Sequence, residues 1–251
     1  METISIINLK GGAGKTTTAF NFAEALKKMG YSVLLIDTDY QRNLTTLKKH
    51  DKDTNTIFDI FTGSKEINDV IRNDFIASSE KLVNLDALLQ NQIGAQFILK
   101  EALQQVKKKY DYCIIDNHCI INTISINTLT ASNKIICTAT PNKADFEGFQ
   151  KLITMVNDIK RHKLNEGLKI DGVLMTRYSN RTILNKQLKT LFENQAKIID
   201  SKVYNSFIRE NISIRESQAQ NESVFDYNDK SNGAIDYMEF AKEFLKKVDK
   251  R

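Results

Sequence analysis

Residues 4–18 read ISIINLKGGAGKTTT, and this stretch decides the fold. An apolar run enters a glycine-rich turn, which ends in Gly14-Lys15-Thr16 and continues into an amphipathic segment. A strand, a glycine-rich loop that ends in Gly-Lys-Thr and a helix, in this order, are typical of a phosphate-binding loop. The sequence therefore predicts a nucleotide-binding site at the end of the first strand.

The residue types of this loop suit the binding of phosphate groups. Glycines let backbone N–H groups converge on an anion where a Cβ would obstruct it. The N-terminus of the following helix adds its dipole and its free N–H groups. We expect Lys15 to reach the β- and γ-phosphates and the Thr16 hydroxyl to bind Mg²⁺. The expected cradle comprises Lys10, Gly11, Gly12, Ala13, Gly14, Lys15, Thr16 and Thr17.

The composition is ordinary for a globular protein. The chain has 251 residues, of which 41% are hydrophobic and 27% charged, and its formal net charge is +5. This length suits a single α/β domain over residues 1–251. The sequence shows neither a long uncharged apolar run nor a basic leader, so we expect a cytoplasmic protein. Cys113 and Cys137 lie in apolar runs, which favours buried thiols over a metal or redox site.

Strand-like and helix-like segments alternate along the chain, which predicts a mostly parallel, twisted sheet with helices on both faces. The predicted strands are Ile4–Asn8, Val33–Asp37, Leu82–Leu85, Tyr112–Asp116, Lys134–Thr140, Gly172–Thr176 and Val203–Ile208. The predicted helices, whose apolar residues recur at helical spacing, span residues 16–29, 96–108, 147–160 and 234–248. Residues 51–81 have the weakest pattern and are interpreted as a short helical insertion.

Two of the predicted strands end in aspartates. Val33–Asp37 ends in Asp37 and is followed by Asp39, and Tyr112–Asp116 ends in Asp116. Ligands of parallel sheets collect at the carboxyl ends of strands, so we expect these acids beside the phosphate loop, facing Mg²⁺ or the attacking water. Taken alone, Asp37 and Asp39 would fit a turn with two solvated carboxylates better, and it is the loop upstream that favours the catalytic interpretation.

The loop departs from the general pattern because a lysine directly precedes the glycine pair. Lys10-Gly-Gly-Ala-Gly-Lys15-Thr16 resembles the deviant Walker A motif of the ParA/MinD family of ATPases. The resemblance implies a P-loop NTPase fold with ATP and Mg²⁺ as cofactors. It also implies that Lys10 reaches across an ATP-dependent sandwich homodimer to the partner's nucleotide, as an arginine finger does. A lysine solvated at the edge of the loop is the alternative.

The acidic segments resemble the same family. Residues 37–45 are similar to its D-x-D-P-Q-G-N-x-T segment, which implies that Asp39 orients or activates the hydrolytic water and that Asp37 helps to hold magnesium. Asp116 matches the Walker B aspartate, which binds Mg²⁺, and Thr176 lies where members of the family contact adenine. The resemblance thus implies Lys10, Lys15 and Asp39 as catalytic residues, and Thr16, Asp37 and Asp116 as metal-binding residues.

Several positions depart from the family pattern. Tyr40 and Arg42 replace a proline and a glycine of the first acidic segment, and Arg209 replaces the proline of an I-P-x-N element. Residues 117–119 (NHC) stand where two prolines usually follow the Walker B aspartate. The changes at Tyr40 and Arg42 concern the flexibility and rate of that loop and leave the positions of the acids intact, and those at residues 117–119 concern turnover. His118 is interpreted as a switch-loop side chain, with contact to the nucleotide as the alternative.

The branch of the family decides the binding partner. ParA-type segregation ATPases bind DNA nonspecifically as ATP-bound dimers, through basic residues that contact phosphates. The candidates here are Arg177, Arg181, Lys186, Lys189 and Arg215, although each alone also fits a solvated surface charge. We predict a nucleoid-associated DNA-partitioning ATPase of the small form, without an N-terminal DNA-binding domain. Its basal turnover is expected to be weak, and a centromere-binding adaptor protein is expected to stimulate hydrolysis and release the dimer.

The alternative function is that of a MinD-like, membrane-associated positioning ATPase. Residues 240–251 are basic and amphipathic, as a lipid-binding terminal helix would be, but Glu243 and Asp249 interrupt the basic face. An iron protein of the nitrogenase type would need two cysteines that bridge a cluster, and the cysteines of this chain do not match that arrangement. A plain phosphotransferase would need an acceptor-substrate motif. We therefore expect DNA rather than a membrane as the bound surface.

Overall fold

The strands of this protein form one parallel sheet. The computed structural model describes residues 1–50 and 55–246, and these residues contain six strands. They are β1 (Glu2–Ile7), β2 (Val33–Asp37), β3 (Phe75–Ile76), β4 (Tyr112–Asp116), β5 (Lys134–Ala139) and β6 (Lys169–Met175). Their order across the sheet is β3-β2-β4-β1-β5-β6, and every pair of neighbours is parallel. The predicted α/β fold is confirmed.

Helices connect the strands and cover both faces of the sheet. Those before β4 are α1 (Lys15–Lys28), α2 (Asn43–Leu47), α3 (Ile57–Phe61), α4 (Ile67–Val70), α5 (Leu85–Leu89) and α6 (Ile98–Val106). Those after β4 are α7 (Thr123–Ala131), α8 (Lys143–Arg161), α9 (Ile183–Ile198), α10 (Ile212–Ala219), α11 (Val224–Asn228) and α12 (Asn232–Leu245). Two 3₁₀ turns, Glu80–Asn84 and Ala95–Phe97, precede α5 and α6.

The sheet is buried on both faces because alternate strand residues enter different apolar clusters. Leu35 of β2 packs with α1, α11 and α12 on one face. Its neighbours Leu34 and Ile36 pack with the helices between β2 and β4 on the other face. Strands buried on both sides need nearly continuous apolar sequence, which is what β1, β2 and β4 show. Among the described residues, no helix is long and apolar enough to cross a membrane.

Helix α1, which follows the phosphate loop, also packs against the C-terminal helices. The ring of Phe22 lies 4.9 Å from that of Phe240 and 5.2 Å from that of Phe244, between centroids. Polar contacts add to this packing: the Gln218 amide donates to the Thr17 hydroxyl at 2.7 Å, and the backbone N–H of Val224 donates to Asn21 at 2.9 Å. The elements after β6 therefore hold the helix on which the candidate site is built.

Two predicted strands are wrong, and one strand was missed. Leu82–Leu85 lies in a 3₁₀ turn and the start of α5, where Leu82, Leu85 and Leu89 are buried at helical spacing. The strand at this edge of the sheet is instead Phe75–Ile76, inside the segment interpreted as a helical insertion. Residues 203–208 form isolated parallel bridges, Val203 with Val173 of β6 and Ile208 with Thr176, but no named strand within the described chain.

The predicted helices agree better with the structure. Residues 16–29 and 147–160 fall within or next to α1 and α8, and residues 96–108 contain α6 with the 3₁₀ turn before it. The weakly patterned segment does contain the short helices α3 and α4, while residues 51–54 lie outside the described residues. The last predicted helix corresponds to α12. Its predicted end, and the part of the amphipathic tail at residues 247–251, also lie outside the described residues.

Candidate active site

The phosphate loop has the backbone shape that its sequence predicts. Gly12 and Gly14 adopt positive φ angles of 82° and 80°, in a region that residues with a Cβ avoid. Gly14 caps the N-terminus of α1, so the free N–H groups of the first turn face the loop. Thr176, predicted near adenine, donates its hydroxyl to the carbonyl oxygen of Ala13 at 3.0 Å. The residue that follows β6 therefore helps to hold the phosphate loop in place.

Two lysines of the loop occupy different environments. Lys15 is buried, and its ammonium donates to the carbonyl oxygen of Lys10 at 3.1 Å. The side chain of Lys10 is exposed. A buried ammonium held inside the loop suits contact with phosphates of the same subunit. The exposed ammonium of Lys10 is free to extend away from this cradle.

Asn8 anchors the start of the loop to the sheet. Its amide donates to the carbonyl oxygen of Thr138 in β5 at 2.7 Å, and its own oxygen accepts the N–H of Lys10 at 3.1 Å. Gly148 of α8 packs directly on this side chain, since a Cβ built there would lie 2.5 Å from Asn8 Oδ1. The loop thus begins from a fixed point between β5 and α8.

The two strand-end aspartates lie side by side, because Asp37 and Asp116 are opposite one another in the β2–β4 register. Both are fully buried. Asp37 accepts three hydrogen bonds: from the N–H of Asp39 at 3.0 Å, and from the N–H and hydroxyl of Thr45 at 2.8 and 2.7 Å. Burial nevertheless raises the pKa of Asp37 to about 6, and these hydrogen bonds only partly offset the effect.

The carboxylate of Asp116 lacks such compensation. Neither oxygen has a hydrogen-bond partner among the described residues. Burial and the neighbouring charge of Asp37 raise the pKa of Asp116 well above its usual value. The Thr16 hydroxyl and the Lys15 ammonium lower it in part, although that hydroxyl does not reach hydrogen-bonding geometry. Two buried carboxylates beside a hydroxyl are hard oxygen ligands of the kind that Mg²⁺ takes, so the residues present fit this cation.

Asp39 lies on the loop between β2 and α2. It is half-buried, and its carboxylate accepts the N–H of Gln41 at 2.9 Å. Arg42 follows with a φ of 59°, which explains why a glycine suits this position in the family. The arginine is held in this conformation by its side chain, which donates to the carbonyl oxygen of Ser78 at 3.2 Å and pairs with Glu80 at 3.9 Å. The replacement leaves the loop ordered around the acids.

The segment after Asp116 is fixed by its own polar side chains. Asn117 donates to the carbonyl oxygens of Ile6 and Ile115, both at 3.2 Å. His118 is buried; its Nδ1 accepts the N–H of Ile120 at 3.1 Å, so its Nε2 carries the proton that meets Asn122 at 2.9 Å. Burial lowers the pKa of His118 and favours this neutral form. These hydrogen bonds restrain the backbone at the positions where the family usually has prolines.

These elements surround a cleft of about 540 Å³. Its walls include Gly11, Gly12, Gly14, Lys15, Thr16, Thr17, Asp39, His118, Cys119 and Arg177. A smaller cavity of about 70 Å³ adjoins it and is lined by Gly14, Thr176, Arg177, Asn211 and Arg215, among others. A polar cleft with a small side cavity has the shape needed for a phosphate chain and a base. His118 also lines this cleft, so the alternative that it contacts the nucleotide stays a prediction.

The five basic residues predicted to bind DNA fall into two groups. Arg177 and Arg215 line the small cavity beside the phosphate loop, and Arg215 pairs with Glu210 at 2.9 Å. Arg181 and Lys186 are exposed before and within α9, and Lys189 on the same helix pairs with Glu193 at 3.4 Å. Large aliphatic side chains, at Ile183, Leu184, Leu191 and Ile198, are exposed on this helix as well. Lys189 also lies over the ring of Tyr178, the neighbour of Arg177 in the chain, at 6.0 Å from the ring centroid. The DNA-binding role of the five residues stays a prediction.

Comparison with known proteins shows the family of this chain. A family model described as an AAA domain matches residues 1–170. The sporulation initiation inhibitor protein Soj of Bacillus subtilis (strain 168) is 34% identical over 251 residues, covering 96% of this chain and 97% of Soj. The chain belongs to the ParA/MinD family of P-loop ATPases. A second relative in the ParA/MinD family, the chromosome-partitioning ATPase Soj of Treponema pallidum (strain Nichols), is 29% identical, covering 97% of both chains.

A solved structure extends the likeness to three dimensions. Cobyrinic acid a,c-diamide synthase from Mycobacterium smegmatis is 26% identical to this chain, with a TM-score of 0.84 over 100% of this chain and 96% of the other. It was solved with bound ADP and magnesium, and also with an ATP analogue and magnesium. The likeness to this fold therefore extends over the whole chain, including the elements after the matched residues 1–170.

Sequence reasoning missed residues that hold the site without belonging to a motif. Ser78 donates its hydroxyl to the carbonyl oxygen of Asp39 at 2.6 Å, although 39 residues separate them. Gly148 packs on Asn8 from a distant helix. A sequence pattern reports neighbours along a helix or strand, and these contacts join separate elements. The signal for Gly148 was its place within an amphipathic helix, where glycine is otherwise unfavourable.

Proposed function

We propose that this chain is a Mg²⁺-dependent ATPase of the ParA type, which acts in the partitioning of DNA. The observation that supports the enzymatic part is the buried carboxylate of Asp116, for which the described residues provide no hydrogen-bond partner. Leaving a buried charged group unpaired costs several kcal/mol at least. Such a cost is expected at a functional site, where a cation that arrives with the nucleotide offsets it.

The residues of the cleft divide the work. Asp116 and the Thr16 hydroxyl would hold Mg²⁺, and Asp37 would fix the adjacent segment and the waters around the cation. Bound magnesium supplies neutralisation of the phosphate charge that develops during hydrolysis. Lys15 and the N–H groups of Gly12 and Gly14 would bind the phosphate oxygens. Asp39 would orient the attacking water and accept its proton.

Lys10 is the residue from which we infer that hydrolysis needs a dimer. Its carbonyl oxygen holds the Lys15 ammonium, whereas its own side chain is exposed. An exposed ammonium beside the cradle is available to the nucleotide of a second copy, which would make hydrolysis depend on dimerisation. Weak basal turnover follows, since one subunit holds an incomplete catalytic set. Lys10→Ala should keep the affinity for ATP and lose turnover.

Two substitutions test the enzymatic proposal. Lys15→Ala should abolish ATP binding, with the exposed Lys160→Ala of α8 as the matched control. Asp39→Ala should bind ATP with unchanged affinity and hydrolyse it poorly, while the exposed Asp229→Ala should behave as the unaltered protein. Nucleotide affinity and phosphate release are the measurements. Unchanged ATP affinity in Lys15→Ala, or unchanged turnover in Asp39→Ala, would contradict the assigned roles.

The DNA-binding part of the proposal draws on the family and on the exposed basic residues. A cytoplasmic, nucleoid-associated dimer would bind duplex DNA nonspecifically, and an adaptor protein on a centromere-like site would stimulate its release. Arg181 and Lys186 are the exposed candidates, and phosphate contacts of this kind weaken steeply with salt. Duplex binding should be measured without nucleotide, with ADP and with ATP, across salt concentrations. Absence of binding in every state would contradict this part and leave the ATPase proposal standing.

A further inference from the structure

Ser78 lies outside every motif of the sequence, yet it touches the catalytic segment at several points. It follows β3 by two residues and is fully buried. Its hydroxyl donates to the carbonyl oxygen of Asp39 at 2.6 Å. Its N–H donates to the Thr45 hydroxyl at 2.9 Å, and its carbonyl oxygen accepts the Arg42 side chain at 3.2 Å. All three polar groups of one residue thus bind the segment from Asp39 to Thr45.

The contacts of Ser78 continue to the strand-end acid. The Thr45 hydroxyl, which accepts the N–H of Ser78, donates its own proton to Asp37 at 2.7 Å. The segment from Asp37 to Thr45 is therefore held at its start, its middle and its end by one connected set of hydrogen bonds. A loop that contains a left-handed arginine at Arg42 needs such outside support to keep one conformation.

We propose that Ser78 is a positioning residue for hydrolysis: its hydroxyl fixes the main chain at Asp39 and thereby the place of the Asp39 carboxylate. This inference rests on the proposed role of Asp39. The carbonyl oxygen of Asp39 also accepts the N–H of Arg42 at 2.9 Å, so it stays hydrogen-bonded when the serine hydroxyl is removed. Loss of the hydroxyl should therefore relax the position of Asp39 without unfolding the loop.

The first test compares Ser78→Ala with Ser5→Ala. Ser5 of β1 is equally buried and shares one hydrogen bond, at 2.9 Å, with the hydroxyl of Ser132 at the end of α7. Ser78→Ala should lower kcat by roughly tenfold to a hundredfold, the range expected when a reacting group shifts by about 1 Å. Its affinity for ATP and its melting temperature should match those of Ser5→Ala. A kcat within twofold of the unaltered protein would overturn the inference.

The second test asks whether Ser78 acts through Asp39. In the Asp39→Ala background, single-turnover hydrolysis should be the same with serine or alanine at position 78. A further loss of rate from Ser78→Ala in that background would show a general structural effect and overturn the inference. If Ser78→Ala does not fold, Ser78→Cys takes its place, because the thiol leaves no cavity and is a weaker donor than the hydroxyl.

These outcomes separate the inference from the proposed function. Unchanged turnover in Asp39→Ala itself would refute the assigned role of Asp39, and this inference with it. Slow turnover in Asp39→Ala together with normal turnover in Ser78→Ala would refute the positioning role alone. ATP affinity is measured in parallel for every variant, so that a weakened phosphate site is not mistaken for a displaced carboxylate.

Discussion

Replacing Asp116 with asparagine is expected to stabilise the nucleotide-free protein and to remove its response to magnesium. The carboxylate is fully buried, lies opposite Asp37 in the strand register, and accepts no hydrogen bond from the described part of the chain. A buried polar group left in this state costs about 1–3 kcal/mol, and more when it is charged. Asparagine has nearly the same shape, carries no charge, and adds an N–H₂ donor beside the Asp37 carboxylate's strand position.

The expected gain is about 2 kcal/mol at neutral pH, which corresponds to a rise of roughly 6 °C in Tm for a chain of this size. Thermal unfolding is the assay, without ligand and with ATP and Mg²⁺. The unaltered protein should be stabilised strongly by ATP with Mg²⁺, and Asp116→Asn only weakly. A gain in stability at the expense of ligand response is the expected signature of a strained functional site.

Asp145→Asn provides the matched control for this prediction. Asp145 is also a buried aspartate, but its carboxylate accepts the N–H and the hydroxyl of Thr140 at 2.6 and 2.7 Å. Asp145→Asn should therefore lower the Tm of the ligand-free protein and preserve the response to Mg²⁺. If Asp116→Asn also lowers the Tm, or if it keeps the full magnesium response, the reasoning from the unpartnered carboxylate is refuted.

Three further predictions follow from the described contacts. Burial raises the pKa of Asp37 to about 6, so the folded state binds a proton on this carboxylate more tightly than the unfolded chain does. The free energy of unfolding without ligand should therefore fall by about 3 kcal/mol between roughly pH 4 and pH 6. The rise in Tm that ATP and Mg²⁺ produce should be larger at pH 7.5 than at pH 5.5, because the carboxylate is then charged. Equal rises at both pH values would contradict this. Arg209→Ala leaves the buried Asp236 without its bidentate partner, so it should lower the free energy of unfolding by about 2 kcal/mol in denaturant melts. The loss is smaller than for a wholly buried pair because the arginine is partly exposed. A loss under about 0.5 kcal/mol would be inconsistent with this role. Gly148→Ala should weaken ATP binding roughly tenfold, because its Cβ displaces Asn8 from the start of the loop and cores resist such insertion; unchanged affinity would show that the loop adapts.

The fold was predictable where apolar runs are long and bounded by clear signals. β1, β2 and β4 are buried on both faces, so their sequences carry continuous apolar runs with acids or glycines at the ends. β3 has two residues, too few for any periodicity, and Asn73 and Asp74 before it adopt positive φ angles that no motif announces. At residues 82–89 the leucine spacing was helical, and the strand prediction overlooked it.

Those parts of the site that belong to contiguous sequence motifs were predictable. The phosphate loop and Asp116 were placed correctly at neighbouring strand ends, because parallel strands bring their carboxyl ends together. The roles assigned to these residues stay predictions. The support of the site was not predictable, since Ser78, Asn8 and Gly148 act through partners that only the folded chain brings near. The DNA-binding roles of the basic residues also stay predictions, because a positive charge suits a DNA phosphate and a neighbouring carboxylate equally well.

The seating of the C-terminal helices on α1 bears on how this protein can be divided. A fragment ending at residue 170, where the match to the AAA domain stops, would strip α1 of its contacts with Phe240 and Phe244. It would also lose the polar contacts that Gln218 and Val224 make with the same helix. The ring of Phe22 would then face water at the helix that presents the phosphate-binding turn. Such a fragment should be poorly expressed and prone to aggregation, although it contains the phosphate loop and both acidic segments.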